Sequence, residues 1–312
     1  MNPLRRRSAI QRLLLGSTLL TGLLTSGRAE AAPPPLRYVL IPKLSHPWFE
    51  GVRRGALEAA TMIQQQSRRA AVIDYRPPAT AEVAQQAAIL EAAIRSRPNG
   101  ISIDLLDADQ LKPLLAKAQR QGIAVNVFDS EAPAGLPLTS IGNDFCEQAR
   151  IASRRLVKLL NGQGDVAIMQ GVPTAPNHAI RAKCHQDVFA KHPNIRVVAS
   201  PIDHDSISIA EQQAIATMQR YPQLKGWVVS DAGGGIGVAQ AIRTLGKSGQ
   251  VKVVGLDDLP QLQQMIRSGD VDSSAATKPQ AQGYWAVVNL WQQNLGAPAI
   301  EQIDTGISVL GI

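Results

Sequence analysis

The sequence predicts an α/β protein built from two similar doubly wound parallel sheets. Seven short runs rich in Val and Ile follow a first apolar run at 38–41, and segments of helical pattern lie between the runs. The runs do not alternate cleanly between apolar and polar residues, as expected for parallel strands that are buried on both faces. Regular alternation of strands and helices predicts a doubly wound sheet, and a chain of 312 residues is long enough for two.

The individual elements can be placed in order along the chain. After the run at 38–41, strands are predicted at 71–75, 100–104, 123–128, 165–169, 195–199, 225–229 and 251–256. Helices between them are indicated by apolar residues that share one face, such as Val83, Ala87, Leu90 and Ile94. Thr80 and Asp107 are predicted as N-caps, and residues 208–211 have the pattern of a capping box.

The first 31 residues have the pattern of a cleavable export signal. Four arginines within residues 5–12 precede an uncharged apolar stretch at 13–24, and the sequence AEA at 29–31 is typical of a cleavage site. The apolar stretch is shorter than the roughly 20 residues of a membrane-spanning helix, although a permanent anchor remains an alternative. Arg6 and Arg7 leave both the Sec and the twin-arginine routes open. The sequence therefore predicts a periplasmic protein that starts near Ala32.

Charge and cysteine content limit the functions that the chain can have. Cleavage after residue 31 removes five arginines and one glutamate, so the net charge of +7 falls to +3. The mature chain has no cluster of basic and aromatic residues, so no nucleic acid is expected as a partner. Cys146 and Cys184 could form a disulfide in an oxidising compartment or stay as two small buried residues.

Motifs for catalysis, nucleotides and metals are incomplete. The run GGGIG at 233–237 does not complete the dinucleotide pattern and is better explained as a glycine-rich helix start. No G-x-S-x-G elbow is present. His178, His185 and His192 recur every seven residues, about 10 Å apart along one helix, so they cannot share a zinc ion and are predicted to be solvated. We therefore expect no enzyme, no cofactor and no metal.

Several segments at the ends of the predicted strands match the pattern of one known family. They are SHPWF at 45–49, Ile103-Asp104 with Asp107 and Asp109, VFD at 127–129, VSD at 229–231 and VGLD at 254–257. In order and spacing these segments resemble those of the type I periplasmic sugar-binding proteins, the ribose- and galactose-binding group whose fold is shared by the ligand domains of LacI-type repressors. The resemblance covers residues 36–310.

The resemblance implies two lobes that are joined by a three-strand hinge and close on a ligand. After the signal peptide at 1–31, the N-terminal lobe would comprise 36–142 and 279–304. The C-terminal lobe would comprise 143–278 and 305–312. Hinge closure of this kind is a known mode of ligand capture.

The resemblance also implies a ligand site between the lobes. Trp48 and Phe49 would stack on a sugar ring, although Phe49 could instead begin the core face of a helix. His46 takes the place of a family asparagine and could bond a hydroxyl, or lie on the surface. The other candidates are Asp104, Asp129, Asp231, Asp257, Thr277 and one of the pair Arg181 and Lys183. An Asp that follows a strand could also be a helix cap or a turn residue.

Departures from the family pattern leave the ligand open. Ser130 stands where ribose binders have an arginine, and Asp104 replaces a neutral asparagine, so the pocket is expected to be more acidic. The first hypothesis is a solute-binding protein that delivers a monosaccharide or related polyol to the membrane permease of an ABC importer. The alternative is a periplasmic protein that presents a small amine or an autoinducer-like polyol to a membrane receptor kinase.

Overall fold

The structure is a computed structural model that describes residues 33–298 and 300–311, so the predicted export signal lies outside the described residues. The strands are β1 Leu36–Ile41, β2 Ala71–Tyr75, β3 Gly100–Ile103, β4 Ala124–Phe128, β5 Thr139–Gly142, β6 Gly164–Met169, β7 Ile195–Ala199, β8 Leu224–Val229, β9 Lys252–Leu256, β10 Ser273–Ala276, β11 Gln302–Asp304 and β12 Ser308–Leu310. The helices are α1 Pro47–Ser67, α2 Val83–Arg95, α3 Ala108–Arg120, α4 Phe145–Leu159, α5 Pro176–Phe189, α6 Ile207–Arg220, α7 Gly234–Thr244, α8 Pro260–Ser268 and α9 Pro279–Asn294.

The strands form two six-stranded sheets of matching order. The first sheet has the order β2-β1-β3-β4-β5-β11, and the second has the order β7-β6-β8-β9-β10-β12. All pairings are parallel except that of β10 with β12, which is antiparallel. The central strands are buried, as helices on both faces of a parallel sheet require. The predicted α/β fold with two parallel-sheet lobes is confirmed.

The chain passes three times from one sheet to the other. It does so between Gly142 and Phe145, between Ala276 and Pro279, and between Asp304 and Ser308. These short crossings leave the carboxyl ends of the strands of both sheets beside one another. We retain 36–142 with 279–304, and 143–278 with 305–312, as the proposed lobe boundaries.

Helix α9 follows a strand of the second sheet but packs on the first. It crosses α1 so closely that a Cβ on Gly55 would lie 1.8 Å from the carbonyl oxygen of Gln280, and one on Gly283 would lie 1.9 Å from that of Val52. Only glycine allows such a backbone approach. Asn126 in β4 also donates a hydrogen bond to the carbonyl oxygen of Ala286 at 2.8 Å. This packing fixes α1, whose N-terminus carries Trp48 and Phe49.

Several local predictions differ from the structure. Asp107 caps α3 as predicted, but Glu82, not Thr80, is the N-cap position of α2. The N-cap of helix α6 is Ser206, two residues before the predicted Ser208, and its hydroxyl accepts a hydrogen bond from the backbone N–H of Ile209. The short strands β5, β10, β11 and β12 lie outside the predicted strands, because their three or four residues do not form the Val- and Ile-rich runs from which the other strands are predicted. No helix among the described residues is long and apolar enough to cross a membrane.

Candidate functional site

A small polar cavity lies where the carboxyl ends of the strands of the two sheets face each other. The volume of the cavity that water can occupy is about 20 Å³, which is enough for one or two water molecules and far too small for a monosaccharide. Its lining residues are Lys43, His46, Trp48, Phe49, Asp129, His178, Arg181, Asp205, Asp231, Ala232 and Asp257. A larger open groove of about 820 Å³ runs along residues 130–138 and 300–302 and contains none of the predicted site residues.

The structure brings most of the predicted site residues together. Those that line the cavity are His46, Trp48, Phe49, Asp129, Arg181, Asp231 and Asp257. Asp104 and Thr277 are buried behind the lining and are bonded to it, whereas Lys183 lies on the exposed face of α5. Residues from both sheets therefore share one enclosed space.

The aromatic wall is positioned by the start of α1. The imidazole Nδ1 of His46 accepts a hydrogen bond from the backbone N–H of Trp48 at 3.2 Å and so caps the helix. Because a backbone N–H can only donate, the neutral ring carries its proton on Nε2, which is buried and has no partner among the described residues. The rings of Trp48 and Phe49 meet edge to face, with centroids 5.0 Å apart. Phe49 also packs on Phe128, so it is both a lining and a core residue.

Trp48 is hydrogen-bonded to Thr277 of the second sheet's side, and Thr277 is bonded in turn to Asp257. The backbone N–H of Thr277 donates to the carboxylate of Asp257 at 3.0 Å, and the Thr277 hydroxyl bonds to the same oxygen. Asp257 has a left-handed backbone with φ of 67°, a conformation that costs free energy and clusters at functional sites. Burial raises the pKa of Asp257 to about 6.

A buried lysine that the sequence analysis did not single out joins two of the carboxylates. Lys43 Nζ lies 2.7 Å from Asp104 and 3.7 Å from Asp129. Burial disfavours the charge on Lys43, but these carboxylates more than offset it and raise the pKa of the amine. Asp104 therefore does not make the site more acidic in the way expected from the sequence, since Lys43 pairs with it.

The open choice between Arg181 and Lys183 is resolved by their positions on α5. Arg181 is 1% exposed, and its guanidinium donates to Gln148 at 2.8 Å and lies 3.4 Å from Asp129. Lys183 points away from the cavity and pairs with Asp187 at 2.6 Å on the surface. Arg181 is therefore the cation at the site.

Two of the three histidines predicted to be solvated are buried, which corrects that prediction. His178 is 3% exposed and lines the cavity, and its Nδ1 accepts from the backbone N–H of Val172 at 2.9 Å. His185 is fully buried between Ser153 and the carbonyl oxygen of Val229. Burial holds the pKa of His178 well below its usual range, so this ring is neutral and presents an Nε2–H donor to the cavity.

An acidic cluster of Asp203, Asp205 and Asp231 forms the part of the site next to α7. Asp231 Oδ1 accepts from the backbone N–H groups of Gly233 and Gly234 at 2.9 and 2.8 Å, which caps that helix. The free oxygens of Asp203 and Asp231 both lie within 3.2 Å of the point where a Cβ on Gly234 would be, so this glycine leaves room for both. Burial and the adjacent carboxylates raise the pKa of Asp203 and of Asp231.

Lys43, His178 and Asp205 are the charged or titratable lining residues that sequence reasoning missed. Ligands of open α/β sheets bind at the carboxyl ends of the strands, and Lys43 and Asp205 lie in the loops that follow β1 and β7, so this rule would have found them if applied to every strand. His178 carries no such signal, because nothing in the spacing of α5 separates a polar residue facing a cavity from one facing solvent.

Cys146 and Cys184 form a disulfide, which the sequence left open. The bond joins the first turn of α4 to α5, with a Cα–Cα distance of 5.4 Å. It lies one turn from Arg181 on α5. The cross-link therefore ties the helix that carries Arg181 and His178 to the helix that carries Gln148.

The fold and the cavity together define a two-lobed α/β binding protein of the type I periplasmic class. A family model described as periplasmic binding protein domain matches residues 37–297, and the chain belongs to this family. Its members are substrate-binding proteins and not enzymes, and the predicted relation to type I periplasmic sugar-binding proteins is confirmed.

The chain is similar to several binding proteins whose names give a sugar as the ligand. The chain is 28% identical to the D-allose-binding periplasmic protein of Escherichia coli, over 84% of this chain and 85% of that protein. It is 26% identical to the D-ribose/D-allose-binding protein of Pseudomonas aeruginosa, over 85% of each. An ABC transporter solute-binding protein of Burkholderia graminis, solved in complex with D-arabinose, superposes with a TM-score of 0.82 at 26% identity, over 89% of this chain and 95% of that one.

Proposed function

We propose that this protein is the periplasmic solute-binding component of an ABC importer and binds a monosaccharide or related polyol in the cavity between the two sheets. The observation that carries the proposal is the lining of that cavity, where an aromatic pair faces buried carboxylates and a guanidinium from the other side. Pyranose and furanose rings offer C–H faces for aromatic contact, and their vicinal hydroxyls suit charged acceptors and donors.

Binding would require the lobes to open and close. Trp48, Arg181 and Asp231 are each 4% exposed or less, so a ligand of monosaccharide size reaches them only when the two sides separate. The three crossings between the sheets are short enough to act as a hinge. Closure would then surround the ligand and remove water, which strengthens each hydrogen bond to a charged side chain.

Export to the periplasm is part of the same proposal. The first 31 residues have the sequence pattern of a signal peptide, and the relatives from Escherichia coli and Pseudomonas aeruginosa are binding proteins of the same class. Edman sequencing of the protein secreted into the periplasm tests this step. A mature chain that begins near Ala32 is the expected result.

Isothermal titration of the purified protein against D-allose, D-ribose, D-arabinose and a wider set of hexoses, pentoses and alditols tests the proposed ligand class. Binding of at least one member with a Kd in the micromolar range or below is expected, whereas no binding across the panel would contradict the proposal. Neighbouring genes for a permease and an ATPase would support import. A neighbouring histidine-kinase gene would support the sensor alternative.

A further inference from the structure

The charges around the cavity are distributed unevenly. Both buried cations lie on one side: Lys43 pairs with Asp104 and Asp129, and Arg181 shares Asp129. Since a buried carboxylate is costly without a counter-charge, this half of the site is electrostatically paired. The acidic cluster of Asp203, Asp205 and Asp231 lies on the other side.

That cluster has no cation of its own among the described residues. No Lys or Arg nitrogen there approaches the three carboxyl groups within 4.0 Å, and the contact that reaches this limit is His178 Nε2 to Asp205 Oδ2. At longer range the charge of Asp205 favours the protonated forms of Lys43 and His46, although burial is the larger effect on the pKa of His46 and lowers it. The two aspartates of this cluster that line the cavity, Asp205 and Asp231, are 6% and 1% exposed, so water screens them little.

Two imidazoles complete this side but do not neutralise it. His46 and His178 each accept a backbone N–H on Nδ1, so each presents Nε2–H. His178 is almost fully buried, and its Nε2 makes no hydrogen bond within the described part of the chain. Burial lowers the pKa of both rings, so they are neutral donors and not counter-charges. The Nε2 of His46 and the second carboxylate oxygen of Asp231 are buried and have no partner among the described residues, which indicates that a polar ligand group belongs there.

The missing charge is better supplied by an organic cation than by a metal ion. No group of three or more His, Cys, Asp or Glu side chains in the described residues is arranged to hold a metal. An ammonium group needs only two or three acceptors at hydrogen-bond distance, and the free oxygen of Asp231 has no partner among these residues. Asp205 lines the same cavity.

We infer that the preferred ligand carries a protonated amine, that this amine lies against Asp205 and Asp231, and that the ligand class is therefore an amino sugar or amino polyol. This inference rests on the proposed function and narrows its ligand class. The amine would take the side of the cavity next to α7, and the hydroxyls would face Lys43, Asp129 and Arg181. A neutral sugar would supply no counter-charge, so Asp203 would stay protonated and Asp231, whose pKa burial raises to about 7, would be only partly ionised in the closed protein.

Matched probes test the charge directly. We would titrate the protein at pH 7 with D-glucose, D-galactose, D-mannose and D-sorbitol, with the corresponding monoamino derivatives, and with the N-acetyl derivatives of the three hexosamines. At least one amine is expected to bind about tenfold tighter than its neutral parent, since hydrogen bonds to charged groups are stronger than neutral ones. The N-acetyl derivative, which keeps the nitrogen but loses the charge, is expected to lose this advantage.

Two variants separate the acidic cluster from general effects of charge. Asp205→Asn is expected to remove most of the preference for the amine, measured in each protein as the ratio of the Kd of the neutral parent to the Kd of its amine. Asp187→Asn changes a surface carboxylate that pairs with Lys183, and it is expected to keep the wild-type preference. Circular dichroism and thermal unfolding of both variants establish that they are folded.

The outcomes distinguish this inference from the proposed function. If neutral sugars bind as tightly as their amines, or if Asp205→Asn keeps the preference, the inference is wrong and the proposed sugar-binding function stands. If neither neutral sugars nor amines bind in either panel, both are contradicted. A preference for the amine that is lost in Asp205→Asn and kept in Asp187→Asn supports both.

Discussion

The indole nitrogen of Trp48 donates a hydrogen bond to the hydroxyl of Thr277 at 3.0 Å. Trp48 belongs to α1 beside the first sheet, whereas Thr277 lies in the crossing that follows β10 of the second sheet. The Thr277 hydroxyl is bonded in turn to Asp257. The orientation of the aromatic wall is therefore coupled to a carboxylate on the opposite side of the cavity.

Replacement of Trp48 separates ring stacking from this hydrogen bond. Trp48→Ala removes both, and we expect the affinity for the best ligand of the panel to fall by about 100-fold. Trp48→Phe keeps an aromatic face but loses the N–H, so a loss of about tenfold or less is expected. Titration calorimetry measures both. Trp285→Phe is the control, because that indole is 42% exposed on α9 and should leave affinity unchanged.

Two cations on α5 provide a matched pair of variants. Arg181→Gln removes the guanidinium beside Asp129, so this carboxylate has one buried cation fewer. The affinity for the ligand is expected to fall by at least about 100-fold. Lys183→Gln removes an exposed charge two residues along the same helix, where a surface pair with Asp187 contributes little. It is expected to bind like the wild type. Equal losses of ligand affinity in the two variants would show that Arg181 contributes only a positive charge on α5 and no specific contact with the ligand.

Much of the site could be predicted because parallel strands end at one edge of a sheet. Asp129 and Asp257 directly follow β4 and β9, and Asp231 is the second residue after β8, so their positions in the sequence already place them at the crevice. Trp48 lies in the first turn of α1, the helix that follows β1. Local order along the chain and one rule of topology were sufficient for these residues.

The remaining site features depend on packing that local sequence does not show. Helix α5 has buried residues on most of its surface, including Asn177, His178, Arg181 and His185, so no apolar face marks its orientation. A spacing of seven then indicates a shared face but not what that face contacts. Likewise, the pairing of Lys43 with Asp104 joins side chains 61 residues apart, and only the assembled sheet brings them to 2.7 Å.

The disulfide between Cys146 and Cys184 is expected to contribute strongly to stability. It closes a segment with a sequence separation of 38, for which loop-closure entropy in the unfolded chain predicts about 4 kcal/mol. Urea denaturation of the double variant Cys146→Ala, Cys184→Ala should show a free energy of unfolding lower by about 2 to 4 kcal/mol.

Reductant provides the control for that measurement. Dithiothreitol should destabilise the wild type by a similar amount and leave the double variant unchanged, because only the wild type has a bond to reduce. Equal stability of the wild type with and without reductant, after alkylation has verified that the thiols are free, would contradict a stabilising role.

His185 should make the protein less stable in acid. Its Nε2–H donates to the carbonyl oxygen of Val229 at 3.1 Å, so Nδ1 of the neutral ring accepts from the hydroxyl of Ser153. Burial lowers the pKa of His185 to about 4. The unfolded chain takes up a proton below about pH 6.5, and the folded protein does so only near pH 4. The contribution of His185 to stability is therefore complete above pH 6.5 and is lost as the pH falls towards 4.

Urea denaturation at pH 7 and pH 4.5 measures this loss. The wild type is expected to lose about 2 to 3 kcal/mol more than His185→Gln over this interval, since each pH unit contributes about 1.4 kcal/mol and the other groups titrate in both proteins. Equal losses in the two proteins would show that His185 does not stay neutral in the fold. An NMR titration is an independent check, because the ring resonances should remain those of a neutral imidazole down to about pH 5.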